Sequence, residues 1–204
     1  MNIICHRGFW VTPEEKNSTT AFMRAFNLGL GTETDIRDLN GEIVISHDLP
    51  SSGVMTFGNF LNSVPKNLTL ALNVKSDGIA RKAIDELTKA NHHNFFFFDM
   101  SVPDMLDYLR QSTPTALRLS EFEPWVEGLA SQSDIIWLDM FESLWYDHND
   151  IARLIEAGKS VFIVSAELHG KDNNAQWELL KPLKSYSEIT LCTDHPIEAL
   201  TYFS

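Results

Sequence analysis

Glu33 and Asp35 stand two residues apart in the stretch Gly31-Thr-Glu-Thr-Asp-Ile-Arg-Asp-Leu-Asn-Gly-Glu-Ile-Val-Ile-Ser-His-Asp48. On an extended strand this spacing turns both carboxylates to one side. Two hard oxygen donors facing one way suit a single divalent cation, Mg²⁺ or Ca²⁺. His47 closes the same stretch and His6 stands near the amino terminus. Imidazoles titrate near neutrality and can take a proton from a nucleophile or return one to a leaving alkoxide. Arg7 and Lys75 add cations for phosphate oxygens, Arg as a planar fork and Lys as a point charge. Oxygen donors, two cations and two imidazoles together are what a phosphoester-cleaving site needs.

Local geometry must bring these groups together. Asn40-Gly41 is a two-residue hairpin signal, because both central positions of a type I′ turn need positive φ. A strict two-residue loop pairs Leu39 with Glu42 and Thr34 with His47. Residues directly opposite share a face, so His47 would then point away from Glu33 and Asp35. Convergence therefore predicts a break or bulge between Ile43 and His47.

The rest of the chain alternates apolar runs with helical periodicity. Strands are expected at Asn2–Cys5, Leu68–Lys75, Asn94–Asp99, Thr115–Leu119, Asp134–Asp139, Ser160–Ser165 and Ile189–Cys192. Helices are expected after Asn17 or Ser18, at Phe57–Leu61, from Asp77 to Ala90, and from Ser101. Further helices are expected over Asn149–Ala157, Asn173–Leu180 and from Pro196. About eight such alternations predict α/β architecture, a small (β/α)8 TIM barrel built as one domain over residues 1–204. A barrel of this class carries its chemistry at the carboxyl ends of its strands. His6, Arg7, Asn73 and Lys75 fall there, followed in later strands by Asp99, Arg118, Asp139, Glu167 and Asp194. The three late aspartates have an alternative role as helix caps, and Arg118 one as a structural ion pair. Phe9, Trp10, Trp125, Phe141 and Trp145 fall in loops, where they either shape a pocket or pack the loop down.

Composition bounds the function further. The 204 residues are 44% hydrophobic and 22% charged, as in ordinary soluble globular proteins. A net charge of −12 argues against nonspecific nucleic-acid binding but leaves an anionic small molecule open. No apolar stretch approaches the roughly 20 residues of a membrane span, and the start lacks the pattern of a signal peptide. Cytoplasmic location is expected, with Cys5 and Cys192 as buried, reduced thiols. Nothing in the sequence addresses oligomeric state.

The ordered set His6-Arg7-Gly8, Asn17-Ser18 ahead of Ala21-Phe22, Glu33-Thr-Asp35, His47-Asp48, Asn73-Val-Lys75 and Cys192-Thr-Asp-His-Pro196 resembles the glycerophosphodiester phosphodiesterase family over nearly the whole chain. The resemblance implies a TIM barrel, one divalent cation at Glu33 and Asp35, and His6 with His47 as the acid/base pair. It also implies phosphate contacts from Arg7 and Lys75, and a small-molecule phosphodiester of lipid metabolism cleaved to an alcohol and a phosphomonoester. Two positions depart from the family pattern. Lys16 stands where the family commonly has Glu, and Asn73 where it has a metal-binding Glu. Asn73 can still offer an amide oxygen to the cation, but it brings no charge. Two alternatives to metal-dependent hydrolysis follow: release of a cyclic phosphate after attack by a substrate hydroxyl, or a barrel that binds a phosphate ester without turning it over.

Overall fold

Continuous apolar runs become strands covered on both faces. Leu70, Ala71, Leu72 and Val74 are all buried, as are Phe96, Phe97 and Phe98. The computed structural model describes residues 1–204. It begins with β1 (Asn2–His6), α1 (Thr19–Asn27), the hairpin β2 (Gly31–Leu39) and β3 (Glu42–Ile45), and α2 (Phe57–Ser63). There follow β4 (Leu70–Val74), α3 (Ala80–Lys89), β5 (Phe95–Phe98), α4 (Val102–Arg110), β6 (Ala116–Leu119) and α5 (Glu127–Ala130). The chain ends with β7 (Ile135–Leu138), α6 (His148–Glu156), β8 (Ser160–Val164), α7 (Asn174–Leu180), β9 (Ile189–Thr193) and α8 (Pro196–Tyr202). Eight parallel strands, each followed by its helix, make a (β/α)8 TIM barrel fold, with β3 as an extra antiparallel strand. No helix is long and apolar enough to cross a membrane.

The chain packs as two compact units, Arg7–Thr115 and Met1–His6 with Ala116–Ser204. In the Arg7–Thr115 unit the parallel order is β5-β4-β2, with β3 on β2. Its register sets Asp35 beside Asn73 and Asn73 beside Phe98. In the terminal unit the order is β1-β9-β8-β7-β6, and Arg118, Trp137, Phe162 and Thr190 form one row across it. Aromatic packing fills the first unit, with Phe22 on Phe60 at 4.6 Å and Phe97 on Tyr108 at 4.7 Å between ring centroids. Each fully buried Phe contributes roughly 2–3 kcal/mol by apolar burial.

Most helix starts follow their local signals. Ser18 Oγ accepts from Ala21 N, and Ser101 Oγ from Asp104 N with Pro103 in the first turn. Gly158, at φ 77°, lies just past the end of α6. The helix expected from Asp77 instead begins at Ala80, because the Asp77 carboxylate accepts from Ser101 Oγ at 2.6 Å. The one-turn helix α5 carries too few residues for a periodic signal. None of Asp99, Asp139 and Asp194 is a helix cap. The N-cap residues of the helices that follow them are Ser101, Asp147 and His195.

The β2–β3 hairpin has the register of a two-residue I′ turn, with Leu39 opposite Glu42 and φ of 51° at Asn40 and 83° at Gly41. The ladder ends at Ile36 opposite Ile45. Ile45 N then bonds to Met55 O at 2.9 Å, while Ser46 N still reaches Asp35 O at 3.1 Å. The strand therefore stops within the interval where a break is expected, and His47 lies on the loop beyond it.

Gly8 is fixed by space as well as by backbone. Its φ is 82°, and a Cβ there would lie 2.7 Å from the Ala21 carbonyl carbon. Gly8→Ala combines left-handed strain with a backbone collision at the start of α1, so a loss of about 3 kcal/mol is expected by urea denaturation. Wild-type stability in this variant would contradict that close approach.

Glu121 joins two loops of the terminal unit. Its carboxylate accepts from Phe141 N at 3.0 Å, Glu142 N at 2.7 Å and Ser143 N at 2.9 Å. Desolvation pushes the carboxyl up, but these backbone donors outweigh it and hold its pKa at about 2. A carboxyl depressed in the folded state stabilises above its ordinary range near pH 4.5 and loses that contribution as pH falls toward 2. Glu121→Gln should cost about 1 kcal/mol at pH 7, discounted for solvent screening. The difference from wild type should shrink at pH 3; melts showing an equal gap at both pH values would contradict the assignment.

Candidate active site

Strand pairing assembles the oxygen donors. Glu33 and Asp35 alternate along one face of β2, and Asn73 sits beside Asp35 in the parallel register with β4. Lys75 follows Asn73 by two residues and just leaves the strand, its N bonded to Ile36 O. Glu33, Asp35 and Asn73 are all buried.

Asp35 is the hub of this cluster. Its Oδ2 accepts from Asn17 Nδ2 at 2.9 Å and lies 2.9 Å from Arg7 Nε. Lys75 Nζ lies 3.7 Å from Asp35 Oδ1, an ion pair too long for a hydrogen bond, and donates to Asp99 Oδ2 at 3.0 Å. Arg7 is thus held by a carboxylate with no solvent exposure. Its own backbone is in the left-handed region, φ 56°, and so is that of Asn17, φ 59°. The two are joined, Asn17 N to Arg7 O at 3.0 Å, and Arg7 N donates to Glu33 O at 3.0 Å. Thr34 Oγ1 donates to Asn17 Oδ1 at 2.8 Å, so the Asn17 amide is fixed at both ends. Left-handed non-glycine residues persist only where surroundings hold them. Here they pin Arg7 against the carboxylates.

Whether these residues suit a hard cation turns on two oxygens. Asp35 Oδ1 and Asn73 Oδ1 are buried with no hydrogen-bond donor. Burial first, and then the Asp35 carboxylate, push the Glu33 carboxyl well above its ordinary range, against the lowering effects of Arg7, Lys75 and the Asn73 amide. Buried oxygens lacking donors beside two acids are a donor set for Mg²⁺ or Ca²⁺, so the residues fit. The set is sparse, since no group of three or more His, Cys, Asp or Glu stands ready to hold a metal.

His47 and Arg7 line one cavity of about 390 Å³ with Lys16 and Asn17. His47 Nδ1 lies 2.9 Å from Asp48 Oδ1, and its side chain is 44% exposed. The break after Ile45 is what allows this position.

The terminal unit contributes its own polar strand ends. His6 Nδ1 lies 2.7 Å from Asp194 Oδ1. A carboxylate at Nδ1 orients the imidazole ring. A second such pair joins His169 Nε2 to Asp139 Oδ1 at 2.7 Å, with the Phe141 ring edge-on to His169. His169 carries no motif or spacing that sets it apart in the sequence, and only folding reveals its partner. Glu167 accepts from Thr193 Oγ1 at 2.5 Å, Asp194 N at 3.1 Å and the hydroxyl of Ser165. Arg118 forms a bidentate pair with Glu123, at 2.7 and 3.0 Å, in accord with a structural role. The Asn17 amide bridge in the other unit has only a weak sequence signal, an Asn at a loop position open to positive φ. Both cysteines are buried thiols, and burial, then Asp194, push Cys5 up to about 12, which makes it a poor nucleophile.

No protein-family model matches the chain, and no curated protein sequence matches it. Solved structures do. A glycerophosphodiester phosphodiesterase from Parabacteroides distasonis superposes with a TM-score of 0.75 at 16% identity, covering 99% of this chain and 96% of that one. One from Agrobacterium tumefaciens gives 0.72 at 14% identity, covering 99% and 98%. A phosphodiesterase from Oleispira antarctica, in complex with the product sn-glycerol-3-phosphate, gives 0.72 at 14% identity, covering 99% and 96%. From end to end, the chain has the fold of these phosphodiesterase structures.

Proposed function

We propose that the chain is a metal-dependent phosphoric diester hydrolase, cleaving a glycerophosphodiester-like small molecule to an alcohol and a phosphomonoester. One observation carries the reading. Buried Glu33, Asp35 and Asn73 cluster with half-buried Arg7 and Lys75 on β2, β4 and the turns after β1 and β4, in a fold shared with solved glycerophosphodiester phosphodiesterases. Arg7 and Lys75 hold the phosphate oxygens, Arg7 through the part of its fork not turned to Asp35. Glu33, Asp35 and Asn73 would hold the cation, which supplies positive charge to the phosphate as negative charge builds on its oxygens. His6 and His47 divide the proton transfers: one imidazole takes a proton from the attacking water, the other returns one to the leaving alkoxide. Asp194 and Asp48 orient these two rings through Nδ1.

The test is a screen of phosphodiesters with Mg²⁺ or Ca²⁺ and with EDTA, with products identified. The expected result is a phosphomonoester product whose formation stops in EDTA and resumes when the cation is restored. Turnover unaffected by EDTA would sink the metal role, and cleavage of no diester would sink the hydrolase reading. A second reading, binding without turnover, draws support from the pairing of Arg7 and Lys75 with Asp35 and from the absence of a third acid or imidazole donor. Phosphate-ester binding without product would favour it.

A further inference from the structure

Arg37 is a cation of β2 that the proposed chemistry leaves without a role. It stands two residues beyond Asp35, so Glu33, Asp35 and Arg37 alternate along one face of the strand. Arg7 and Lys75 face carboxylates, whereas Arg37 turns its guanidinium to a main-chain carbonyl. Its Nη2 donates to Lys75 O at 3.0 Å and its Nε to the same oxygen at 3.3 Å. Two donors of one planar fork fix that oxygen in direction as well as distance.

The sheet leaves this carbonyl unclaimed. β4 ends at Val74, paired with Ile36. One more backbone bond, Lys75 N to Ile36 O at 3.0 Å, continues the parallel pattern. Had the ladder run on, Asp38 N would donate to Lys75 O. Asp38 N goes instead to the Ser76 hydroxyl at 3.4 Å, and the Arg37 side chain takes the place of the lost ladder bond. All of these residues belong to the Arg7–Thr115 unit.

What the clamp holds is the base of Lys75. A lysine is a point charge on a flexible stem, aimed by the backbone on either side of its Cα. Ile36 fixes the peptide plane before Lys75, and Arg37 fixes the one between Lys75 and Ser76. From that base Nζ lies 3.0 Å from Asp99 Oδ2 and 3.7 Å from Asp35 Oδ1. We infer that Arg37 is a positioning residue: by clamping the Lys75 carbonyl it holds the Lys75 ammonium where the phosphate binds. This rests on the proposed reading of Lys75 as a phosphate ligand.

A double-mutant cycle on the full chain tests this without relying on turnover. Phosphorus NMR titration of sn-glycerol 3-phosphate, at fixed pH and Mg²⁺ concentration, follows dissociation constants into the millimolar range. Arg37→Met should weaken binding about fivefold, while Arg37→Lys, which keeps a donor, should stay within about twofold of wild type. Lys75→Met should weaken binding about thirtyfold. In that background Arg37→Met should change the affinity by less than about twofold, because a residue acting through Lys75 has nothing left to act on. Circular dichroism checks that each variant folds, with Arg37→Gln replacing Arg37→Met in the cycle if the latter does not. Wild-type affinity in Arg37→Met would overturn the inference. So would a loss that persists undiminished in the Lys75→Met background, the mark of a direct contact or of a general structural effect. Wild-type affinity in Lys75→Met, or no binding by the wild type, would remove the phosphate reading of Lys75 and the inference with it. The expected cycle without cleavage of any diester would support the role of Arg37 and remove only the hydrolase reading.

Discussion

Replacing His6 or His47 with alanine should lower kcat for the proposed phosphodiester cleavage by about two to four orders of magnitude, with the circular-dichroism spectrum and melting midpoint close to wild type. That size is what positioned general acid–base groups supply. The two variants should differ in detail. His6 is largely enclosed, its side chain 12% exposed and its Nδ1 2.7 Å from Asp194. His6→Ala removes the partner of a carboxylate that is itself only 10% exposed, so a small loss of stability accompanies the loss of rate. His6→Gln, which keeps a hydrogen-bond donor near Asp194, should recover the stability but not the rate. His47 lies on a loop with its side chain 44% exposed, and His47→Ala should leave the melt unmoved. Full activity in either alanine variant would remove that histidine from the proton-transfer pair. An activity loss matched by a collapse of the melt would assign it a structural role instead.

Asp35→Ala should be among the most destabilising single substitutions in the chain, costing about 3–5 kcal/mol in urea denaturation at pH 7. The reason is asymmetry rather than the strength of the ion pair. Asp35 has no exposed surface, and its carboxylate faces Arg7 Nε at 2.9 Å, the Asn17 amide at 2.9 Å and Lys75 Nζ at 3.7 Å. Removing it leaves two cations and an amide without the carboxylate they face. Asp35→Asn keeps the volume and one acceptor oxygen, so it should cost less than alanine while still losing the charge. Pairing Asp35→Ala with Arg7→Met should recover part of the loss, because the double variant no longer leaves the Arg7 charge unmatched. A loss below about 1 kcal/mol for Asp35→Ala, or strict additivity in the double variant, would show that the cluster is better hydrated than its burial indicates.

Both experiments probe groups whose residue types were visible in the sequence but whose partners were not. Asp35 was legible as half of an acidic pair. That it anchors Arg7, Asn17 and Lys75 depends on the left-handed turns at Arg7 and Asn17 and on the parallel register of β2 with β4. The late aspartates show the same division. Their positions at strand ends were readable, yet Asp139 and Asp194 bond His169 and His6 instead of capping helices.

What the sequence determined by itself was local and periodic. Alternating apolar runs and amphipathic stretches mark the strands and seven of the eight helices, all but the one-turn α5, because burial on one or both faces leaves its mark within a few residues. Asn40-Gly41 fixed the hairpin register to the residue, since a two-residue I′ turn admits one pairing. Ser18 and Ser101 fixed helix starts by offering a side-chain oxygen to an unpaired N–H. Only the tertiary structure decided where His47 points, through the turn of Ile45 N to Met55 O. It alone placed Lys16 in the cavity with Arg7, and it alone paired His6 with Asp194 across 188 residues of chain. Hydrogen bonds between side chains so far apart in sequence carry no local period. They exist only once the strands that hold them have found their neighbours.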